Sequence, residues 1–231
     1  MVESVVINEV NRHQDFSDSE REAVYRVIDA RRDVRRGFID LPLPTNLLNR
    51  LLAAAHSAPS VGLMQPSRFI VIRDFDVRKS VHDIFKSVNY QAAASYEGER
   101  REQYVNLKLE GILEAPQNLC VLCDPCSDRG HKLGRHTMPE AALYSTVCAI
   151  QNLWLAARAE GIGVGWVSIL DPERLREVLN IPAHFALVAY LCIGYVNHFA
   201  LEPDLERGGW EKRVPLETVV SYDRYSGAGE R

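Results

Sequence analysis

Four arginines and one aspartate crowd into six residues at Arg31-Arg32-Asp33-Val34-Arg35-Arg36. Guanidiniums hold phosphate or carboxylate through paired, parallel hydrogen bonds, so a local cluster of this kind suits a small anion. A protein that grips nucleic acid spreads its basic charge more widely, whereas this 231-residue chain has a formal net charge of -4. The plain alternative is a solvated helix end whose arginines complement the macrodipole. Taken alone, the stretch does not separate these two readings.

Two further stretches carry candidate ligand contacts. One is the loop Ala58-Pro59-Ser60-Val61-Gly62-Leu63-Met64-Gln65-Pro66, which has two prolines and no charge. The other is Gly161-Ile162-Gly163-Val164-Gly165-Trp166-Val167-Ser168. Its glycines run from helix to strand, the reverse of a dinucleotide fingerprint, and read as a helix cap followed by a strand that something flat approaches closely. Ser168 ends that strand, where a hydroxyl can reach a ligand or merely cap a turn. Cys120, Cys123 and Cys126 have the spacing of an iron–sulfur run, but a fourth cysteine is missing and the first two fall in an apolar strand, where residues three apart face opposite ways. Cys126, His131 and His136 match no strong zinc spacing, so no metal is expected. A Gly-x-Ser-x-Gly elbow, a phosphate loop and a His-Glu-x-x-His helix are all missing from the sequence.

The elements that must position these residues follow from periodicity. Ser17 to Glu20 is a capping box opening a helix with Ala23, Val24, Val27 and Ile28 on one face, and that helix delivers the arginines at its end. Thr45 is the expected cap of a second helix carrying Leu47, Leu48, Leu51, Leu52 and Ala55 inward. Arg68–Arg73 reads as a strand buried on both faces in the middle of a sheet. Residues 76–114 read as helical with an exposed break near Tyr96–Glu102, either solvated helix surface or a lid over 95–103. Further strands are expected at Asn118–Cys123, after Gly161, at Phe185–Val196 and at Thr218–Ser221. Between them come a loop over Asp124–Met138, a largely buried central helix after Pro139 with Ala142, Val147, Ile150, Leu153, Trp154 and Ala157 inward, and a short helix capped by Asp171.

With 46% hydrophobic and 25% charged residues the chain has the makings of one buried core. No internal repeat or linker divides it. The expectation is an N-terminal arm over 1–16, one α+β domain over 17–222 and a tail over 223–231. No apolar run reaches the roughly 20 residues of a membrane span, the N-terminus lacks the pattern of a secretory signal, and five cysteines suggest no disulfide framework. A cytoplasmic protein with no nucleic-acid or membrane partner is expected.

The three motifs together resemble the nitroreductase-like flavoproteins over about residues 17–220, and within them the 5,6-dimethylbenzimidazole synthase branch. Asp33 stands where an ordinary nitroreductase has serine, Met64 precedes Gln65, and Ser67 replaces a tryptophan. The resemblance implies a nitroreductase-like α+β fold, with a central mixed sheet, flanking helices and a buried central helix, in an interwoven homodimer holding FMN at its interface. It implies that Arg31, Arg32 and Arg35 hold the phosphate and polar edge of the flavin, with Val34 and Leu109 beside it. Ser60, Met64 and Gln65 would touch the flavin from the loop, Gly165, Val167 and Ser168 would lie against its ring, and Arg207 or Arg213 would add a phosphate contact.

The reaction implied is O2-dependent fragmentation of reduced FMN, itself the substrate, to 5,6-dimethylbenzimidazole and erythrose 4-phosphate, for the lower ligand of vitamin B12. Asp33 and Ser168 are the implied catalytic pair, and a separate flavin reductase is the implied supplier. The alternatives are an NAD(P)H-dependent nitro- or quinone reductase recycling the same FMN, and a non-catalytic flavin-binding protein.

Overall fold

The computed structural model describes residues 16–225. Within them, seven α-helices and four strands follow in the order α1 (Asp18–Ala30), α2 (Thr45–His56), β1 (Ser67–Ile72), α3 (Phe75–Ala93), α4 (Gly98–Asn106), β2 (Gln117–Cys123), α5 (Ala141–Ala159), β3 (Ile162–Val167), α6 (Pro172–Leu179), β4 (Ala186–Tyr195) and α7 (Asp204–Arg207). The strands lie in the order β1-β2-β4-β3 and pair antiparallel throughout. The expected mixed sheet is thus corrected, and the parallel component shrinks to one isolated bridge between Asp33 and Val164.

Side-chain alternation divides the core in two. Leu119, Val121, Ala189, Leu191 and Ile193 face α2 and α5, whose Leu51, Ala55, Ile150, Leu153 and Ala157 complete that layer. Cys120, Leu122, Tyr190 and Cys192 face the other way, against Val81 and Phe85 of α3 and Leu175 of α6. The double burial expected of β1 belongs to β2, every residue of which is buried. β1 is an edge strand with Arg68 and Val71 exposed. An apolar run shows that a strand packs on its faces, but nothing in it encodes how many strands lie beside it.

The Ser17 capping box is present, its hydroxyl accepting from the Glu20 amide at 3.3 Å while the Glu20 carboxylate accepts from the Ser17 amide at 2.8 Å. Asp171 caps α6 by accepting from the amides of Glu173 and Arg174. Thr45, however, is the first residue of α2 rather than its cap, because Pro44 already supplies the extended entry. The strand expected at Thr218–Ser221 is instead a 3-10 turn over Leu216–Thr218. The helical break lies at residues 94–97, between α3 and α4. Most of the arm over 1–16 and the end of the tail fall outside the described residues.

Two helices leave apolar faces open. α1 buries no residue, and Val24, Tyr25 and Ile28 are exposed. On α5, Tyr144, Val147, Cys148 and Gln151 form an exposed stripe at helical spacing, which moves Val147 out of the core. No helix among the described residues is long and apolar enough to cross a membrane.

Cys120, Cys123 and Cys192 are buried, while Cys126 and Cys148 are exposed. Cys120 and Cys123 belong to different core clusters, as their three-residue spacing in a strand requires. Burial pushes the Cys120 thiol up to about 12, so it carries almost no thiolate at neutral pH. A thiol reagent applied to the folded protein is therefore expected to modify at most Cys126 and Cys148, and all five cysteines only after denaturation, as counted by intact mass.

Candidate functional site

Beyond α1 the chain leaves the helix at once. Arg31 is extended (φ -65°, ψ 136°), and residues 31–36 run as a strap against β3. The Val34 amide donates to the Val164 carbonyl at 3.0 Å, and the Trp166 amide donates to Asp33 Oδ1 at 2.9 Å. From α5, Trp154 Nε1 donates to the Arg32 carbonyl at 3.2 Å and Arg158 Nε to the Ala30 carbonyl at 2.9 Å. The central helix thus reaches the strap through Arg158 and through Trp154, which the sequence offered only as core.

Gly163 and Gly165 explain the closeness. A Cβ at Gly163 would lie 2.5 Å from Val196 Cγ1 and 3.3 Å from Val34 Cγ1, and one at Gly165 only 3.1 Å from the Val34 carbonyl carbon, with its oxygen nearer still. The flat object that Gly165 admits is the strap itself, whereas Gly163 makes way for Val196 first and Val34 second. Val34 is buried against them, and Gly165 is covered by Val34.

The arginines on this strap form the wall of a cavity of about 130 Å³, lined by Arg31, Arg32, Asp33, Arg35, Asp204 and Arg213 among others. Arg31 sits 5.2 Å above the Trp154 ring. Burial lowers its guanidinium below the usual arginine value and the Asp33 carboxylate opposes that shift. Arg32 spends its NH1 on the Asp29 and Arg31 carbonyls, at 2.7 and 2.6 Å, and its NH2 on the Leu201 carbonyl. Arg35 NH2 donates to Asp33 Oδ2 at 2.5 Å. Three buried donors, Arg32 Nε, Arg35 Nε and Arg35 NH1, meet no acceptor among the described residues. Buried polar groups are nearly always paired in a working protein, so these donors call for an anion.

Asp33 proves to be more than an acid among bases. One oxygen fastens the strap to β3 and the other fixes Arg35. Of the tail arginines, Arg213 lines the larger cavity. Arg207 is ion-paired to Asp204 at 2.5 Å and lines a smaller recess next to it with Arg36 and His198. Asp204, which also stands 3.8 Å from Arg36, has no signal in the sequence beyond its place in a charged tail.

The remaining expected contacts divide. Ser168 is exposed and lines a separate cavity of about 250 Å³ with Trp166, Val167, Leu187 and Tyr190. It follows Trp166 by two residues, hence by about 7 Å of strand. Val167 is 3% exposed and belongs to the core cluster of α3 and α6, so its side chain is spent on packing. Met64, expected to touch the flavin from the loop, has its side chain fully buried with Cys123 and Ala142, which leaves its backbone for any contact. Leu109 is half-buried, packed against the Tyr190 cluster.

Among the described residues, neither Ser60 nor Gln65 lines the two arginine cavities. The Ser60 hydroxyl accepts from the Gln65 amide at 2.8 Å. The Gln65 side chain lies between His56 and Arg129, neither of which carries a signal in the sequence.

Comparison with known proteins places this geometry. The family model described as Nitroreductase family matches residues 28–195. The chain is 48% identical over 204 residues to a 5,6-dimethylbenzimidazole synthase of Rhodospirillum rubrum, covering 88% of this chain and 96% of that protein. It is 41% identical over 202 residues to a 5,6-dimethylbenzimidazole synthase of Rhodobacter capsulatus, covering 87% and 97%. Among solved structures, an oxidized iodotyrosine deiodinase bound to FMN and 3-iodo-L-tyrosine superposes with a TM-score of 0.69 at 21% identity, covering 87% of this chain and all of that one.

Proposed function

Because the chain belongs to the nitroreductase family, we propose that it acts there as a 5,6-dimethylbenzimidazole synthase, cleaving reduced FMN with O2 to 5,6-dimethylbenzimidazole and erythrose 4-phosphate. The observation that carries this reading is 48% identity over nearly the whole length of a relative with that name, together with the orphaned arginine donors around Asp33. Reduced FMN supplies the ring and ribityl carbons that become the two products. No metal enters the reading.

The residues fit a phosphate-bearing flavin. Arg31, Arg32, Arg35 and Arg213 set four positive charges against Asp33 and Asp204 around the cavity, leaving a net surplus for a phosphate. Asp33 is held from two sides, so its carboxylate cannot swing away and stays placed to take a proton from the ribityl chain. Ser168, two residues beyond the amide that anchors Asp33, orients the ring from the open end of β3. A fixed ribityl chain and exclusion of bulk water favour fragmentation over simple reoxidation.

A homodimer completes the site. The exposed stripe of α5 and the open face of α1 give a second copy of this chain an apolar surface. The loop of Ser60 and Gln65, which lines neither arginine cavity of its own protomer, then serves the partner's flavin. A separate flavin reductase delivers reduced FMN.

The test is direct. Incubated with chemically reduced FMN in air, the protein is expected to yield 5,6-dimethylbenzimidazole, detected by mass spectrometry. Recovery of intact oxidised FMN alone would refute the reading. Steady NAD(P)H consumption with a nitroaromatic and no benzimidazole would favour a reductase instead.

A further inference from the structure

The segment 124–138, which the sequence presents as a connector, grips the Gln65 loop. Six non-glycine residues among those described have positive φ: Leu63, Gln65, His131, Lys132, Asn180 and Asp223. Four of these fall in two loops that face each other, with Gly62 at φ 53° in one and Gly130 at φ 73° in the other. Left-handed backbone at non-glycine residues is costly and persists where the surroundings enforce it, commonly beside functional sites.

The enforcement is visible in the contacts. A Cβ on Gly62 would sit 3.0 Å from the carbonyl oxygens of both Gly130 and Leu133. A Cβ on Gly130 would sit 3.0 Å from the Gly62 carbonyl carbon, with the oxygen nearer still. The two backbones therefore meet glycine to glycine with no space to spare. Next to this contact, Arg129 NH2 donates to Gln65 Oε1 at 3.3 Å. Because a guanidinium only donates, Gln65 must turn its oxygen to Arg129 and its amide nitrogen to His56, 3.2 Å away. His56 Nε2 is then the acceptor. The pair fixes which way round the Gln65 amide stands.

We infer that Gly130 and Arg129 are positioning residues for flavin binding: Gly130 sets the backbone of the Gln65 loop, and Arg129 sets the orientation of the Gln65 amide. This rests on the reading that Gln65 contacts flavin. Neither residue touches the arginine cavity, so both act through the loop.

A matched pair of variants tests the backbone half. Gly161 has φ 72° but nothing within 4 Å of a methyl group added there, so Gly161→Ala incurs the same left-handed strain as Gly130→Ala without the contact. Titrated with oxidised FMN by flavin fluorescence, Gly130→Ala is expected to bind about tenfold more weakly than Gly161→Ala. Equal affinities would overturn the assignment.

A double-mutant cycle tests the amide half and does not depend on Gly130→Ala folding. Arg129→Ala is expected to weaken FMN binding about three- to tenfold, Arg129→Lys to recover part of the loss, and Arg129→Ala to add nothing in a Gln65→Ala background. Thermal midpoints are expected to match wild type, since Arg129 is exposed. Additive losses, or no loss, would overturn it. Should wild type bind FMN with these couplings yet form no benzimidazole, the reaction assignment falls and the positioning stands. Should wild type not bind FMN, both fall.

Discussion

An Asp33→Asn variant is expected to lose benzimidazole formation by about two orders of magnitude or more, the usual weight of a positioned acid or base, while keeping its fold. The geometry makes the substitution informative. Asparagine retains an oxygen that can accept the Trp166 amide, now 2.9 Å from Asp33 Oδ1, so the strap stays on β3. What is lost is the negative charge facing Arg35 at 2.5 Å and the ability to take a proton. Single-turnover assays with reduced FMN in air, quantified by mass spectrometry, read the rate. A fluorescence titration with oxidised FMN reads binding separately. Product at the wild-type rate would remove Asp33 from the chemistry and leave it as the staple of the strap. Loss of binding in step with loss of rate would lead to the same conclusion.

The second large effect concerns the anion. In Arg35→Met the stem's packing is kept but three donors disappear, two of which have no partner among the described residues. Truncating one member of a buried, hydrogen-bonded charge pair costs about 2–5 kcal/mol at the bound state. FMN affinity is therefore expected to fall by about a hundredfold. Riboflavin, which has the same ring and ribityl chain but no phosphate, is expected to change far less. Parallel titrations with the two flavins check this, and an equal loss for both would show that Arg35 supports the strap rather than the phosphate. Arg35→Met also strips Asp33 of its counter-ion, so the double variant with Asp33→Asn is expected to lose less than the sum of the singles.

Much of the site is legible in the sequence because its parts are local. A capping box, an arginine run and a glycine-spaced strand are each written within a few consecutive residues, and each stands where the sequence puts it. What cannot be read depends on neighbours distant in sequence. Met64 and Val167 both point into the core: Val167 because a one-residue step along a strand reverses the side chain, and Met64 because its tight, partly left-handed loop turns it inward. β1 carries the apolar pattern of an interior strand but stands at the edge, since lateral order is set by topology. The glycines of β3 are expected to make way for something flat, and at Gly165 the structure shows that this is Val34 of the chain itself. Asp33 stands out in the sequence because a phosphate gains nothing from an added acid; its hydrogen bond to Trp166 gives it a second, architectural reason to be there.

That same hydrogen bond joins residues 133 positions apart, and the Arg32 bond to the Leu201 carbonyl spans 169. Closures of such length come late in folding, because the loop entropy must be overcome before any contact rewards it. The arginines leave the ribosome early, but the wall they form does not exist until β3, α5 and the segment after β4 have arrived. A nascent or truncated chain therefore displays a basic stretch without an anion site. An anion can be captured there only once the segment around Leu201 has been made and docked, so on the proposed function flavin binding reports closure of the fold.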